Sequence, residues 1–80
     1  MSLTAFKLET GSTFIDSSGE VTVILSSNFA TMPSVMVTPV DTGGNVDVYV
    51  YSVSLVSGQW NVVIRASAGG VSVDYQAIGL

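Results

Sequence analysis

The chain has no cysteine and no histidine. Disulfides, thiolate and Ser-His-Asp nucleophiles, CxxC redox pairs and the usual zinc sites are therefore excluded together. Cations are nearly as scarce: Lys7 and Arg65 stand against six acids, for a net charge of −4. A nucleic-acid clamp needs several Lys or Arg to neutralise phosphates, and a polybasic membrane anchor needs a cluster of them. Neither nucleic acid nor membrane is an expected partner. Charged residues of both signs make up 10% of the chain, against about 25% in an average soluble domain. No apolar run approaches the ~18 residues that span a bilayer. The start, Met1-Ser2-Leu3-Thr4-Ala5-Phe6-Lys7, lacks the basic-then-apolar pattern of a secretory signal. The expectation is a soluble chain made in the cytoplasm.

What is present is oily and β-branched. Of the 80 residues, 48% are apolar and fourteen are Val. That length allows one domain, residues 1–80, and a small one. For a chain this short, the gain from apolar burial and the cost of ordering nearly cancel. Disulfides and structural metals usually make up such a deficit. With neither available in its usual form, oligomerisation is the remaining route.

Apolar positions recur with period two, as strands require. Val21, Val23 and Leu25 alternate with Glu20, Thr22 and Ser26, and Ile24 is the exception. Val46, Val48 and Val50 oppose Asp47, Tyr49 and Tyr51, after which the apolar parity reverses to Val53 and Leu55. A reversal of that kind predicts a β-bulge near Tyr51-Ser52. Asp16-Ser17-Ser18-Gly19 suits a type I turn, Ser57-Gly58-Gln59 a tight hairpin, and Asp41-Thr42-Gly43-Gly44-Asn45 a flexible connection. The stretch 28–33 reads as a longer crossing, because Pro33 cannot donate to a central ladder. With one or two strands between Thr4 and Ile15, the total is six or seven. The fold class is all-β, a small antiparallel β-sandwich of about six strands.

From Val21 onward the pattern resembles the H-type lectin domain family. The residues that carry the resemblance are Phe29-Ala30-Thr31-Met32-Pro33-Ser34-Val35-Met36-Val37, then the aromatic Trp60 after a hairpin, then Tyr75-Gln76-Ala77-Ile78-Gly79. It covers 21–80, and 1–20 is left as an N-terminal strand or arm. The resemblance implies a six-stranded antiparallel sandwich that assembles as a homotrimer. It also implies kinship with lectin domains and with domains of bacteriophage tail and head fibres. In sugar-binding members an aromatic and a His follow the aromatic strand, where this chain has Ser67-Ala68-Gly69-Gly70. At the family's binding Arg it has Tyr51, with Arg65 one strand away. Conserved-type galactose binding is therefore not favoured.

No residue set carries catalysis. Asp41, Asp47 and Asp74 fall on separate segments and show no calcium-loop spacing. They read as solvated acids that keep an oily surface soluble. No enzyme activity and no cofactor are expected. Tyr49, Tyr51 and Arg65 are the candidate subunit interface, with Arg65 paired to Asp47 or Asp74 across the sheet or across a subunit boundary. Phe6, Leu8, Phe29 and Met32 are candidate contacts to a larger shell. The function expected is a non-enzymatic viral structural protein, a trimeric bacteriophage capsid decoration or cement protein located in the virion. Its partners would be itself and the major capsid protein or another virion protein. The alternative is a glycan-binding module or the receptor-binding tip of a fibre.

Overall fold

Six strands account for most of the residues that the computed structural model describes, 6–40 and 46–80. They are β1 (Lys7–Ile15), β2 (Glu20–Ile24), β3 (Ser34–Val40), β4 (Val48–Val56), β5 (Gln59–Ala66) and β6 (Val71–Gly79). They form two antiparallel three-stranded sheets, β1-β6-β3 and β2-β5-β4. The small all-β sandwich-like domain expected from the period-two pattern is the one found. The Thr4–Ile15 stretch is a single strand where it is described, paired with β6 along its whole length. The expected connection at 41–45 lies outside the described residues, as do residues 1–5.

Each strand gives one face to the interior, because successive side chains point to opposite sides. Ile15, Val23, Leu25, Val62, Ile64, Val71, Val73 and Ala77 form the core together with Phe29 from the β2–β3 crossing. Val35 and Val37 of β3, with Val48, Val50 and Val53 of β4, pack against it from the sheet edges. Pro39 is tolerated within β3 because that strand is the edge of its sheet.

The parity reversal in β4 has the expected cause. Val50 pairs with Ile64 and Ser52 with Val63, so Tyr51 is the extra residue of a bulge. One inserted residue lets Val53 return to the interior after Val48 and Val50. Ser57 and Gly58, both at positive φ (50° and 81°), form the two-residue turn joining β4 to β5. At the 16–19 turn the Gly19 N–H donates to the Asp16 carbonyl at 3.1 Å. This turn does not join neighbours in one sheet; it carries the chain from the first sheet to the second.

Gly69 fits where no side chain would. A Cβ there would run into the Asp16 carbonyl and the Ser17 backbone. This close approach lets the β5–β6 loop pack on the 16–19 turn, where the Gly70 N–H donates to the Ile15 carbonyl at 2.7 Å. Gly69→Ala forces backbone apart and costs about 1–3 kcal/mol, a Tm loss of roughly 5–15 °C. Gly58→Ala meets nothing within 4 Å and carries only its positive-φ strain, about 1 kcal/mol. Thermal melts of the two variants are expected to rank Gly69→Ala well below Gly58→Ala. Equal losses would contradict the loop packing.

Candidate functional site

The outer face of the second sheet carries a polar-aromatic cluster. The register sets Glu20 of β2 opposite Arg65 of β5, and Arg65 opposite Tyr49 of β4. Arg65 Nε donates to Glu20 Oε2 at 2.8 Å, and its guanidinium lies over the Tyr51 ring, 3.4 Å from the centroid. The bulge aims Tyr51 at this position. The Glu20 hydrogen bond raises the Arg65 pKa, against a slight desolvation, with smaller help from Tyr51 and Tyr49. Tyr49 and Tyr51 remain 49% and 55% exposed, so a cation–π pair of the kind found at interfaces sits in the open.

Within one chain, this register replaces the expected partners of Arg65 with Glu20. Asp74 lies on β6 in the other sheet, where it accepts from the Ser12 hydroxyl at 2.6 Å. Asp47 precedes β4, and its backbone is tied to Ser67: its N–H donates to Ser67 Oγ at 2.9 Å. Glu20 was visible in the sequence as an outward residue of its strand. Only the β2–β5 pairing reveals what it faces.

A second surface forms at one end of the sandwich, where the start of β1, the β2–β3 crossing, the β4–β5 hairpin and the end of β6 converge. Four hydrogen bonds stitch that end together. Leu25 N–H donates to the Trp60 carbonyl at 2.9 Å, and Trp60 Nε1 to the Phe29 carbonyl at 2.8 Å. Ala30 N–H donates to the Leu80 carbonyl at 2.6 Å, and Lys7 Nζ to the Asn28 carbonyl. The Glu9 carboxylate adds two more, accepting from the backbone N–H groups of Ser26 (3.0 Å) and Ser27 (2.7 Å).

This end gathers Phe6, Leu8 and Met32, which are 71%, 63% and 62% exposed, with Leu55 and Val56 from the hairpin. Phe29 does not belong among the exposed contacts. It is 5% exposed, part of the core, and packs under the end with its ring against Gly79. The crossing folds back over the sandwich, so its aromatic fills the interior and Met32 is left outside. Leu55 and Val56 were missed from the sequence. Two adjacent apolar residues immediately before a two-residue turn break the alternation, and that was the available signal.

The far end is different in character. There the 16–19 turn and the β5–β6 loop present Asp16, Ser17, Ser18, Ser67, Ala68 and Gly69, with Asp47 and Glu20 close by. A concavity of about 380 Å³ lies along β1 and β6, lined by Thr10, Gly11, Ser12, Asp74, Tyr75 and Gln76. It holds one carboxylate, whereas glycoside hydrolysis needs two that face each other. Among the described residues no three acidic side chains come together as a metal site.

Partial burial raises the Glu9 pKa, but the hydrogen bonds from Ser26 and Ser27 outweigh it and the net shift is downward. A carboxylate depressed in the folded state stabilises above its unfolded pKa, and that contribution is lost as pH falls through the folded value. Asp16, held down by the Ser18 hydroxyl and N–H, acts in the same direction. Glu9→Gln is expected to lower Tm at pH 7 by roughly 4–8 °C, corresponding to about 1 kcal/mol for a partly solvated site. The gap from the wild type is expected to close as pH is lowered from 7 to about 3. A gap that persists at low pH would mean that Glu9 acts by packing and not by charge.

The chain matches no family model, no curated protein and no solved structure.

Proposed function

We propose that the protein is a non-enzymatic structural component of a bacteriophage virion, a homotrimeric sandwich that decorates and cements the capsid. One observation carries the assembly part of the reading. Among the described residues thirteen large apolar side chains are exposed, against nine hydrophobic residues in the core. Such a surplus marks a surface meant to be covered. Two parts of it are held on paired strands and stitched loops. The outer face around Tyr49, Tyr51 and Arg65 serves as the seam between subunits, since Tyr and Arg are the residue types that anchor interfaces. The apolar end with Phe6, Leu8 and Met32 faces the shell.

The virion assignment draws its support from the resemblance to H-type lectin domains. Of the residues that carry it, Phe29 and Ala77 are in the core and Val35, Val37, Trp60 and Tyr75 pack against it, while Met32, Met36 and Ile78 are exposed. The packed residues bear on architecture and leave sugar recognition aside. Glycan binding has less support, because the Arg65 guanidinium occupies a face of the Tyr51 ring that a sugar would stack on.

Sedimentation of the purified protein at micromolar concentration tests the seam. Units of three 8.3 kDa chains are expected, so the mass is a multiple of three chains. Tyr51→Ala removes an anchor worth about 2 kcal/mol or more per contact, weakening the seam by roughly 30-fold. Binding to undecorated heads is expected to change little between low and physiological salt, since screening acts on charges. A folded wild-type protein whose mass Tyr51→Ala leaves unaltered would contradict the seam, and binding competed by galactose would favour the lectin reading.

A further inference from the structure

Each sheet leaves two strand edges without a neighbour, β1 and β3 in the first and β2 and β4 in the second. An open edge offers its free backbone groups to any passing strand, and proteins blunt such edges with proline, bulges or short length. Three of the four are blunted here. β3 carries Pro39, β4 carries the bulge at Tyr51, and β2 has only 5 residues. β1 has none of these features: it runs 9 residues without a break, paired along its whole length to β6 on one side. Among the described residues no backbone hydrogen bond reaches 7–14 from the other side. Its two charges do not guard the edge. Lys7 Nζ is taken by the Asn28 carbonyl, and the Glu9 carboxylate by the Ser26 and Ser27 N–H groups.

The β1 sequence complements itself when reversed about Gly11. Two copies laid antiparallel, Gly11 opposite Gly11, set Leu8 against Phe14, Thr10 against Ser12, Glu9 against Thr13 and Lys7 against Ile15, each twice. Leu8 and Phe14 point to the outer face and are 63% and 57% exposed. Directly opposed apolar side chains stabilise a ladder, as do opposed hydroxyls, and in this register no charge meets its like. Moving the centre by one residue either way parts Leu8 from Phe14, and moving it two toward the start sets Glu9 against Glu9. The centre of a two-fold pairing places a residue against itself, where a bulky or charged side chain is a liability, and Gly11 has none. The space its Cβ would fill is taken by the Tyr75 ring from the adjacent strand, an aromatic cover over an edge glycine.

We propose that β1 is a pairing edge, joined antiparallel about Gly11 to β1 of a second copy, so that two three-stranded sheets become one continuous sheet. Roughly eight backbone hydrogen bonds hold the junction, with a Leu8–Phe14 contact on either side of its centre. The contact is isologous and consumes the edge in both copies, so it stops at two chains. It needs nothing from the Tyr49–Tyr51 seam, which lies on the other sheet. Where that seam gathers three chains, each still presents one β1 edge, and edge pairing joins one such group to another.

The test is analytical ultracentrifugation of two double variants at the exposed positions of β1. Leu8→Lys/Phe14→Lys sets lysine against lysine at both outer contacts. It is expected to weaken the pairing by roughly tenfold or more and to halve the mass, six chains to three with the seam intact, or two to one without it. Leu8→Lys/Phe14→Glu removes the same apolar surface but sets lysine against glutamate, and is expected to keep the wild-type mass. Tyr51→Ala read in parallel reports on the seam separately, so failure of one interface is distinguishable from failure of the other. Because the chain has no cysteine, Thr10→Cys on the wild-type background provides a check that does not depend on the charged variants folding. In the Gly11-centred pairing the two residues at position 10 are diagonal neighbours, about 7–8 Å apart. A bismaleimide linker is expected to join Thr10→Cys chains in pairs and to leave Met36→Cys chains, on the opposite edge of the same sheet, largely unlinked. A mass unchanged by the two lysines overturns the proposal. So does a lysine–glutamate variant as small as the lysine–lysine one, or linkage no greater at residue 10 than at 36.

Discussion

A sandwich of two three-stranded sheets has one interior, and each strand can offer it only one face. That limit governs the rest of this structure. The core takes Ile15, Leu25, Val62, Ile64, Val73 and their neighbours, and then it is full. The sequence nevertheless continues to place Phe14, Ile24, Met36 and Ile78 on the outward positions of its strands, where a solitary domain would carry Lys, Glu or Thr. With charged residues at 10% of the chain, little else is available to make the exterior hydrophilic. Under the proposed function, other molecules cover this surplus. The stitching of its apolar end and the fixing of Arg65 between Glu20 and Tyr51 favour defined contacts over indiscriminate ones.

The bulge at Tyr51 connects packing to surface chemistry. Without the extra residue, β4 could keep Val48 and Val50 inside only by turning Val53 out, a one-residue change of parity that would reverse the far half of the strand. With it, the strand fills the core at both ends, and Tyr51 lies beneath the guanidinium of Arg65. Glu9 has a corresponding role in the other sheet. Its carboxylate ties β1 to the crossing that carries both Phe29 and Met32, so the buried aromatic and the exposed thioether are held by the same pair of hydrogen bonds.

Much of the fold was legible because it depends on local patterns. The six strands, the 57–58 hairpin and the bulge follow from alternation and its one interruption. The outward placement of Tyr49 and Tyr51 follows from the three valines between which they sit. What could not be read depends on which strands become neighbours. Arg65 faces Glu20 only because β5 lies between β2 and β4. Phe29 enters the core only because the 25–33 crossing folds back to meet Trp60 and Leu80. Period-two alternation applies within strands, and Phe29 lies outside one. The gathering of Phe6, Met32 and Leu55 at one end is likewise a product of topology, since these residues are far apart along the chain.

The central claim is that this fold draws part of its stability from contacts between molecules. Urea unfolding followed over a hundredfold range of protein concentration tests it most directly. Stability coupled to association requires the midpoint to rise with concentration, because mass action favours the assembled folded state. A midpoint independent of concentration, in a protein that unfolds reversibly, would show that the sandwich stands alone and that its exposed apolar surface has no part in holding it together.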